Sequence, residues 1–320
     1  CWKHKCCDCV IYIHFESFDY GTRLCYLQVK FMDNKISNFI ELTRLKKPIG
    51  FMLLFWPCVW GLTLAYDFNS SIIHFFKFII LFLCGSILMR SAGCIINDIV
   101  DKNFDIKVER TKTRPIASGK ISIKLGIIYA LLLCFVALLV LLNFNNFTII
   151  LAFCSMPLAF TYPYIKRFSH WPQLYLGITF NFGLLLGWTA VFSEISIQPI
   201  IFYLGAIFWT LGYDTVYGYQ DIKDDEIIGV KSTSILFKKN PKMFIFFSYL
   251  LFVIFYLFTG FLMKFSLLFF LIALVPITHL VLQLIKFNSN EPLNCLKIFK
   301  SNNQFGLLIF INLIIEKVQI

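Results

Sequence analysis

Two runs of carboxylates, each at the end of a long apolar stretch, hold the chemistry that can be read from this 320-residue chain. The first is Asn97-Asp98-Ile-Val-Asp101-Lys-Asn-Phe-Asp105, and the second is Asp214-Thr-Val-Tyr217-Gly-Tyr-Gln-Asp221-Ile-Lys-Asp224-Asp225. Acids three and four residues apart line one face of a helix, and such a face at a membrane boundary is too costly to keep without a partner. A divalent cation carrying a diphosphate is the partner that suits it.

Read as the helical continuation of the preceding span, the first run puts Asn97, Asp98, Asp101 and Asp105 on neighbouring sides of the helix. In the second run Asp221 and Asp225 stand at i and i+4, Tyr217 precedes Asp221 by four and Asp214 by seven, so all four are expected on one face. Hard oxygen donors suit Mg²⁺, which takes a few carboxylates together with phosphate oxygens and water. No His or Cys accompanies either cluster, which disfavours zinc. The expected metal ligands are Asn97, Asp98, Asp101, Asp105, Asp221 and Asp225. Each cluster alone reads as a solvated acidic loop, but two placed alike on one side argue for a site.

Directly after the first cluster comes Arg110-Thr-Lys112-Thr-Arg114-Pro115-Ile-Ala-Ser118-Gly119. Pro115 and Gly119 make it a turn, and Arg110, Lys112 and Arg114 are suited to clamp phosphoryl oxygens. Lys231 follows the second cluster in the same role. By itself the turn is an ordinary basic loop. Arg90, seven residues before Asn97, lies on nearly the same face and is expected beside the site, as a buried structural ion pair or a substrate contact. Lys166 and Arg167 read as membrane-flanking charges, with Arg167 also able to grip an acceptor's carboxylate through its guanidinium fork.

The elements that must position these residues are membrane spans. With 58% hydrophobic and 15% charged residues and 38 Phe, the chain holds more apolar residues than a soluble core of this length needs. Apolar runs of about 18 or more residues predict nine helices, near 49–66, 72–96, 125–142, 147–165, 172–192, 199–219, 243–263, 265–285 and 303–319. Their unbroken hydrophobicity argues against the alternation of a membrane β-barrel, so the fold is expected to be all-α and polytopic. Lys and Arg concentrate in residues 30–47, 97–124, Lys166-Arg167, 220–242 and 286–300, whereas the alternate connections and the C-terminus hold Lys77, Lys264 and Lys317. The positive-inside rule turns the basic connections, and with them both acidic clusters, toward the cytoplasm or matrix. Anionic lipid headgroups account for the net charge of +11, and no aromatic-interleaved basic patch points to nucleic acid.

Residues 1–37 differ from the rest and are expected to be an N-terminal extension or presequence, although Asp8, Glu16 and Asp19 depart from the acid-poor character of a transit peptide. Cys1, Cys6, Cys7 and Cys9 crowd around His4 there, but the spacing fits no zinc finger or ribbon. Cys58, Cys84, Cys94, Cys134, Cys154 and Cys295, in apolar surroundings, are expected to act as small hydrophobes. Residues 38–320 form one membrane domain in which a span, an acidic cluster and a basic stretch occur twice.

Such a chain would bind an allylic diphosphate through Mg²⁺ and stabilise the departing pyrophosphate, while aromatic faces shield the allylic cation. A cation-coupled transporter is the alternative of another class, but transporters carry ionisable groups near the bilayer midplane on broken helices, not at span ends beside an Arg-rich turn.

At these residues the chain resembles the UbiA superfamily of intramembrane prenyltransferases, and within it the branch that prenylates 4-hydroxybenzoate in ubiquinone synthesis. The NDxxDxxxD signature matches Asn97, Asp98, Asp101 and Asp105, RTxxRPxxxG matches Arg110 through Gly119, and the second signature matches Tyr213-Asp214 through Asp221 and Asp225. Further similarity covers Arg44 through Pro57, Arg90 through Cys94, Tyr162 through Arg167 and Asn302 through Gly306, so that it spans about residues 38–316. The resemblance implies nine transmembrane helices around a cavity open on the inner face, and two Mg²⁺ ions bridging the Asp-rich motifs to a polyprenyl diphosphate. It also implies attack on the allylic carbon by the ring carbon ortho to the hydroxyl of 4-hydroxybenzoate. On it Asp98, Asp101, Asp105, Asp214, Asp221 and Asp225 are expected to be catalytic. Asn97, Arg110, Lys112, Arg114, Arg167, Tyr217 and Lys231 are expected to bind substrate, with Arg167 on the benzoate carboxylate. Naphthoate, homogentisate, haem or a chlorophyllide are the alternative acceptors. The membrane is expected to be the bacterial or the mitochondrial inner membrane.

Overall fold

Inside a bilayer, stretches this rich in Leu, Ile, Val and Phe leave the backbone two ways to satisfy its polar groups, a helix or a closed barrel, and this chain forms helices. The computed structural model describes residues 35–109 and 111–319, and no strand occurs among them. Cys1, His4, Cys6, Cys7, Cys9 and most of the expected extension lie outside the described residues, as does Arg110.

Nine long apolar helices follow one another among the described residues: α1 (Ile49–Ala65), α2 (Ile72–Val100), α3 (Ile123–Leu141), α4 (Asn146–Phe168), α5 (Pro172–Phe192), α6 (Ile197–Gly218), α7 (Pro241–Leu262), α8 (Leu267–Lys286) and α9 (Pro292–Gln319). Eight are long and apolar enough to cross a membrane, and α1, at 17 residues, is a shorter apolar helix. The chain is an integral membrane protein of all-α fold. Three short helices, Lys102–Asp105, Ile222–Ile228 and Thr233–Leu236, lie in the two long polar connections.

A helix that is apolar all round belongs in the interior, and α1 is buried without a break from Phe55 through Ala65, whereas α3 buries only Gly126, Ala130 and Ala137. α1 packs on α2, α5 and α9, and α6 packs on α5, α7 and α9. Small residues let α1 and α5 touch through their backbones. A Cβ on Gly61 would stand 1.9 Å from the Leu184 carbonyl oxygen, and one on Gly187 would stand 2.1 Å from that of Cys58. Indole N–H groups, which need acceptors once buried, register α9 on its neighbours. Trp60 donates to the Gly306 carbonyl at 3.0 Å, and Trp209 and Trp56 donate to the side-chain oxygens of Asn302 and Asn303, each at 2.9 Å.

The boundaries differ from the sequence expectation at four places, all at polar helix ends. α9 begins at Pro292, not 303, because Lys297, Lys300 and Asn302 mask a turn-by-turn inward face on which Cys295, Ile298 and Asn302 are buried. α4 runs on through Lys166 and Arg167, cations that suit the carbonyl end of a helix. The first acidic run is not one continuous helix: α2 stops at Val100, Asp101 leaves helical geometry at φ −90°, ψ 2°, and Lys102–Asp105 starts a new turn. In the second run α6 stops at Gly218 and Asp221 opens the separate helix Ile222–Ile228, so Asp214, Tyr217, Asp221 and Asp225 do not share one helix face.

Candidate active site

The break at Asp101 gathers the first cluster. Asp98, Asp101 and Asp105 are all buried, and buried carboxylates need charged or hydrogen-bonding partners. Arg114 donates to both Asp98 at 3.2 Å and Asp105 at 2.8 Å, and Arg44, from the turn before α1, donates to the same Asp98 oxygen at 2.6 Å. Lys166, at the end of α4, ion-pairs the Oδ2 of Asp101. The other oxygen of Asp101 is buried, accepts no hydrogen bond, and lies 3.8 Å from the Arg167 guanidinium.

Local packing holds these cations in place. Ile116 is buried with Leu42, Ile95, Ile121 and Ala130, which pins the turn carrying Arg114 against α2 and α3. Gly119 adopts φ 77°, a conformation glycine accepts without strain, and the Thr111 hydroxyl donates to the Asp105 carbonyl at 2.9 Å. Arg44 itself sits at φ 56°, an uncommon backbone for a residue with a Cβ. Burial alone would weaken protonation of Arg44, but the facing Cys94, Asp98, Tyr217 and Asp105 raise its pKa above the usual value. Burial pushes the Asp105 carboxyl up from the ordinary carboxylate range, with Arg114 opposing the shift.

Arg167 donates to the Val100 carbonyl at 3.0 Å and lies over the rings of Phe104 and Tyr164, each 5.3 Å from its guanidinium carbon, with its Nε buried and unbonded. Lys112 turns outward to Glu109 at 2.6 Å, away from the carboxylates it was expected to accompany.

The second cluster stands at the same end of the bundle. The backbone N–H of Lys231 donates to the Lys166 carbonyl at 3.0 Å, and the Lys231 ammonium donates to the Phe168 carbonyl at 3.2 Å. The second connection is thus fastened to the residue that pairs with Asp101. Asp214 interacts electrostatically with Arg90, and Tyr162 with Asp214, Asp101, Arg90 and Tyr217. Arg90 packs against Gly50, where a Cβ would stand 2.9 Å from its Nε, and lies over the Phe180 ring at 5.5 Å. Tyr217 lies against Phe299 with ring centres 4.4 Å apart and planes tilted by 38°. Asp221 and Asp225 frame the first turn of Ile222–Ile228, the Asp225 N–H donating to the Asp221 carbonyl at 3.0 Å.

Three contributors had no role assigned from the sequence. In the sequence Arg44, Tyr162 and Lys166 belong to segments that resemble the family, with Lys166 also read as a membrane-flanking charge. Nothing in their local spacing reveals that they converge on Asp98, Asp101 and Asp214.

The donors fit a magnesium–diphosphate group in kind. Among the described residues no three of His, Cys, Asp and Glu form a close cluster; an ion held here would share its shell with substrate oxygens and water, as Mg²⁺ commonly does. The unbonded buried oxygen of Asp101 is an open position for such an ion.

The chain is 45% identical over 216 residues to the 4-hydroxybenzoate polyprenyltransferase, mitochondrial, of Arabidopsis thaliana, a match covering 67% of this chain and 53% of that protein. It is 37% identical over 291 residues to 4-hydroxybenzoate geranyltransferase 1 of Lithospermum erythrorhizon, covering 90% of this chain and 93% of the relative. It therefore spans about half the length of the Arabidopsis relative and nearly all of the Lithospermum one. Its fold matches the apo structure of a UbiA homolog from Aeropyrum pernix K1, with TM-score 0.69 and 20% identity over 83% of this chain and 97% of that one. It also matches a UbiA homolog from Archaeoglobus fulgidus bound to GPP and Mg2+, with TM-score 0.63 and 17% identity over 85% and 99%. Residues 54–314 match the model of the UbiA prenyltransferase family, to which this chain belongs.

Proposed function

We propose that the chain transfers a polyprenyl group from a polyprenyl diphosphate to the ring carbon ortho to the hydroxyl of 4-hydroxybenzoate, in ubiquinone biosynthesis, with Mg²⁺ as cofactor. The carrying observation is the buried set Asp98, Asp101 and Asp105, each already matched to a cation from another segment, at the bundle end that also holds Asp214 and Tyr217. The relatives named for 4-hydroxybenzoate support this acceptor, and the Archaeoglobus homologue named as bound to GPP and Mg2+ supports the donor and the metal.

In this reading the C–O bond of the allylic diphosphate breaks, a C–C bond forms to the ring, and the ring proton is lost. Asn97, Asp98, Asp101 and Asp105 from one side and Asp221 and Asp225 from the other would hold Mg²⁺, which neutralises charge on the departing pyrophosphate. As the diphosphate enters, Arg114 and Lys166 exchange carboxylate partners for phosphoryl oxygens, joined by Arg110, Lys112 and Lys231. Arg167, held between two rings and with an unbonded Nε, grips the benzoate carboxylate. Asp214 orients the acceptor beside Tyr162, and the Tyr217–Phe299 pair supplies π faces for the allylic cation.

Residues 38–320 act as one prenyltransferase domain in the mitochondrial or bacterial inner membrane, with the site facing matrix or cytoplasm. The test is an acceptor panel. Membranes containing the chain receive geranyl diphosphate, Mg²⁺ and either 4-hydroxybenzoate, a dihydroxynaphthoate or homogentisate, and product masses are determined. Prenylated 4-hydroxybenzoate is expected; product from the naphthoate alone overturns the acceptor.

A further inference from the structure

Away from the acidic clusters, the start of α7 and the end of α8 enclose a groove of about 620 Å³. Lys239 and Lys242 line one wall and Lys286 the other, with Asn240, Met243 and Phe287 between them. All three lysines are exposed and none forms an ion pair with a described residue. The nearest acid along the connection, Glu291, accepts from Asn288 at 2.7 Å instead. The groove therefore concentrates positive charge with no ion-pair partner among the described residues.

The groove's position says what kind of anion belongs there. α7 begins just after the second cluster's connection, so the groove opens at the same end of the bundle as the acidic residues. Immediately along both helices the surface turns lipid-like, with Met243, Phe246 and Phe247 on α7 and Leu282 and Ile285 on α8 all exposed. A ligand reaching both parts has a phosphate head and a hydrocarbon body. Asn240 makes no side-chain cap to α7, and residue 241 is a proline, so the first-turn amides add to the positive field with no side-chain acceptor of their own.

We propose that this groove binds the headgroup of an acidic phospholipid, the three lysines holding its phosphates and the exposed apolar residues lying along its acyl chains. The bound lipid reaches the second cluster through a short relay: Phe237 stacks on Phe244 of α7 at 3.8 Å, and Lys238 pairs with Glu226 at 2.7 Å on the helix that follows Asp221. Binding there therefore steadies the connection that carries Asp221 and Asp225.

The experiment uses the full chain in neutral detergent, as wild type, as a triple variant (Lys239→Gln, Lys242→Gln, Lys286→Gln) and as a control (Lys120→Gln, Lys124→Gln) whose exposed lysines lie elsewhere. Each receives tetraoleoyl cardiolipin, dioleoyl phosphatidylcholine, inorganic phosphate or geranyl diphosphate. Thermal midpoints and lipid adducts by native mass spectrometry are recorded. Cardiolipin is expected to raise the midpoint of wild type and control by several degrees more than phosphatidylcholine does, and the triple variant to lose at least half of that gain and its adduct. Equal gains in the triple variant, equal effects of the two lipids, or a gain from inorganic phosphate as large as that from cardiolipin overturn the proposal, whereas a gain from geranyl diphosphate that the triple variant keeps reports the acidic site. Should the triple variant not fold, Lys242→Glu alone is expected to lose the cardiolipin gain, and a full gain there overturns the proposal equally.

Discussion

Lys166 at the end of α4 ion-pairs the buried carboxylate of Asp101 at the end of α2, while its own carbonyl accepts the backbone N–H of Lys231. One residue thereby joins the first acidic cluster to the connection that follows the second.

Replacing Lys166 by Gln removes the closer of the two cations beside buried Asp101 and leaves it the Arg167 guanidinium at 3.8 Å. Breaking one side of such a pair typically costs about 1–3 kcal/mol when the partner is partly solvated, and the Lys166 side chain is 27% exposed. The thermal midpoint without substrate is expected to fall by several degrees, and the KM for the prenyl diphosphate to rise more than that for the acceptor. An unchanged midpoint and an unchanged donor KM would show that the pair is incidental.

Asp101→Ala and Asp221→Ala are each expected to lower turnover by at least about 100-fold, as loss of a main electrostatic contributor to the transition state does, with the protein still recovered from membranes. Full activity of either variant would remove that residue from the site.

Chelation by EDTA should abolish prenyl transfer and excess Mg²⁺ restore it, with Mn²⁺ partly effective and Zn²⁺ ineffective, because the donors are hard carboxylate and phosphate oxygens. The measurement is product formed in dialysed membranes against metal concentration; undiminished activity after exhaustive chelation contradicts the magnesium assignment.

Arg167→Ala is expected to raise the acceptor KM by about tenfold or more with little change in the donor KM, and Arg167→Lys to restore little, since an ammonium cannot reproduce a planar fork between two rings. Steady-state kinetics with each substrate varied in turn decide the matter. An acceptor KM equal to wild type removes Arg167 from carboxylate recognition.

Gly61→Ala puts a methyl group 1.9 Å from the Leu184 carbonyl oxygen, a backbone atom that cannot swing aside. A loss of at least about 2–3 kcal/mol is expected from forced separation of α1 and α5, read as a lower thermal midpoint and yield. Gly85→Ala, where a Cβ meets nothing within 4 Å, serves as the tolerated comparison.

Much of the architecture was legible because hydrophobic length is a local property. The spans at α2, α5 and α6 could be bounded within a few residues from apolar runs alone, whereas the first turns of α9 were missed because Lys297, Lys300 and Asn302 lower its average while Cys295 and Ile298 still face inward. The acidic signatures were equally visible, but their shape was not. Regular spacing suggested continuous faces, while the chain breaks its helices at Asp101 and after Gly218. The ion pair of Arg44 escaped notice for a different reason. Its partner Asp98 is 54 residues away, and no periodicity reports a contact made by the fold.

α2 and α9 have 29 and 28 residues, which at 1.5 Å per residue makes each just over 40 Å long, about 10 Å more than the oily interior of a bilayer. Asn97 and Asp98 lie in the last turn of α2, so in a bilayer of ordinary thickness the proposed site would stand near the hydrated headgroups. In the proposed reaction an amphiphilic donor would then keep its ionic end in that wet layer and its chain in oil, without hauling a pyrophosphate to the midplane. Lateral diffusion within one leaflet would then suffice to deliver it.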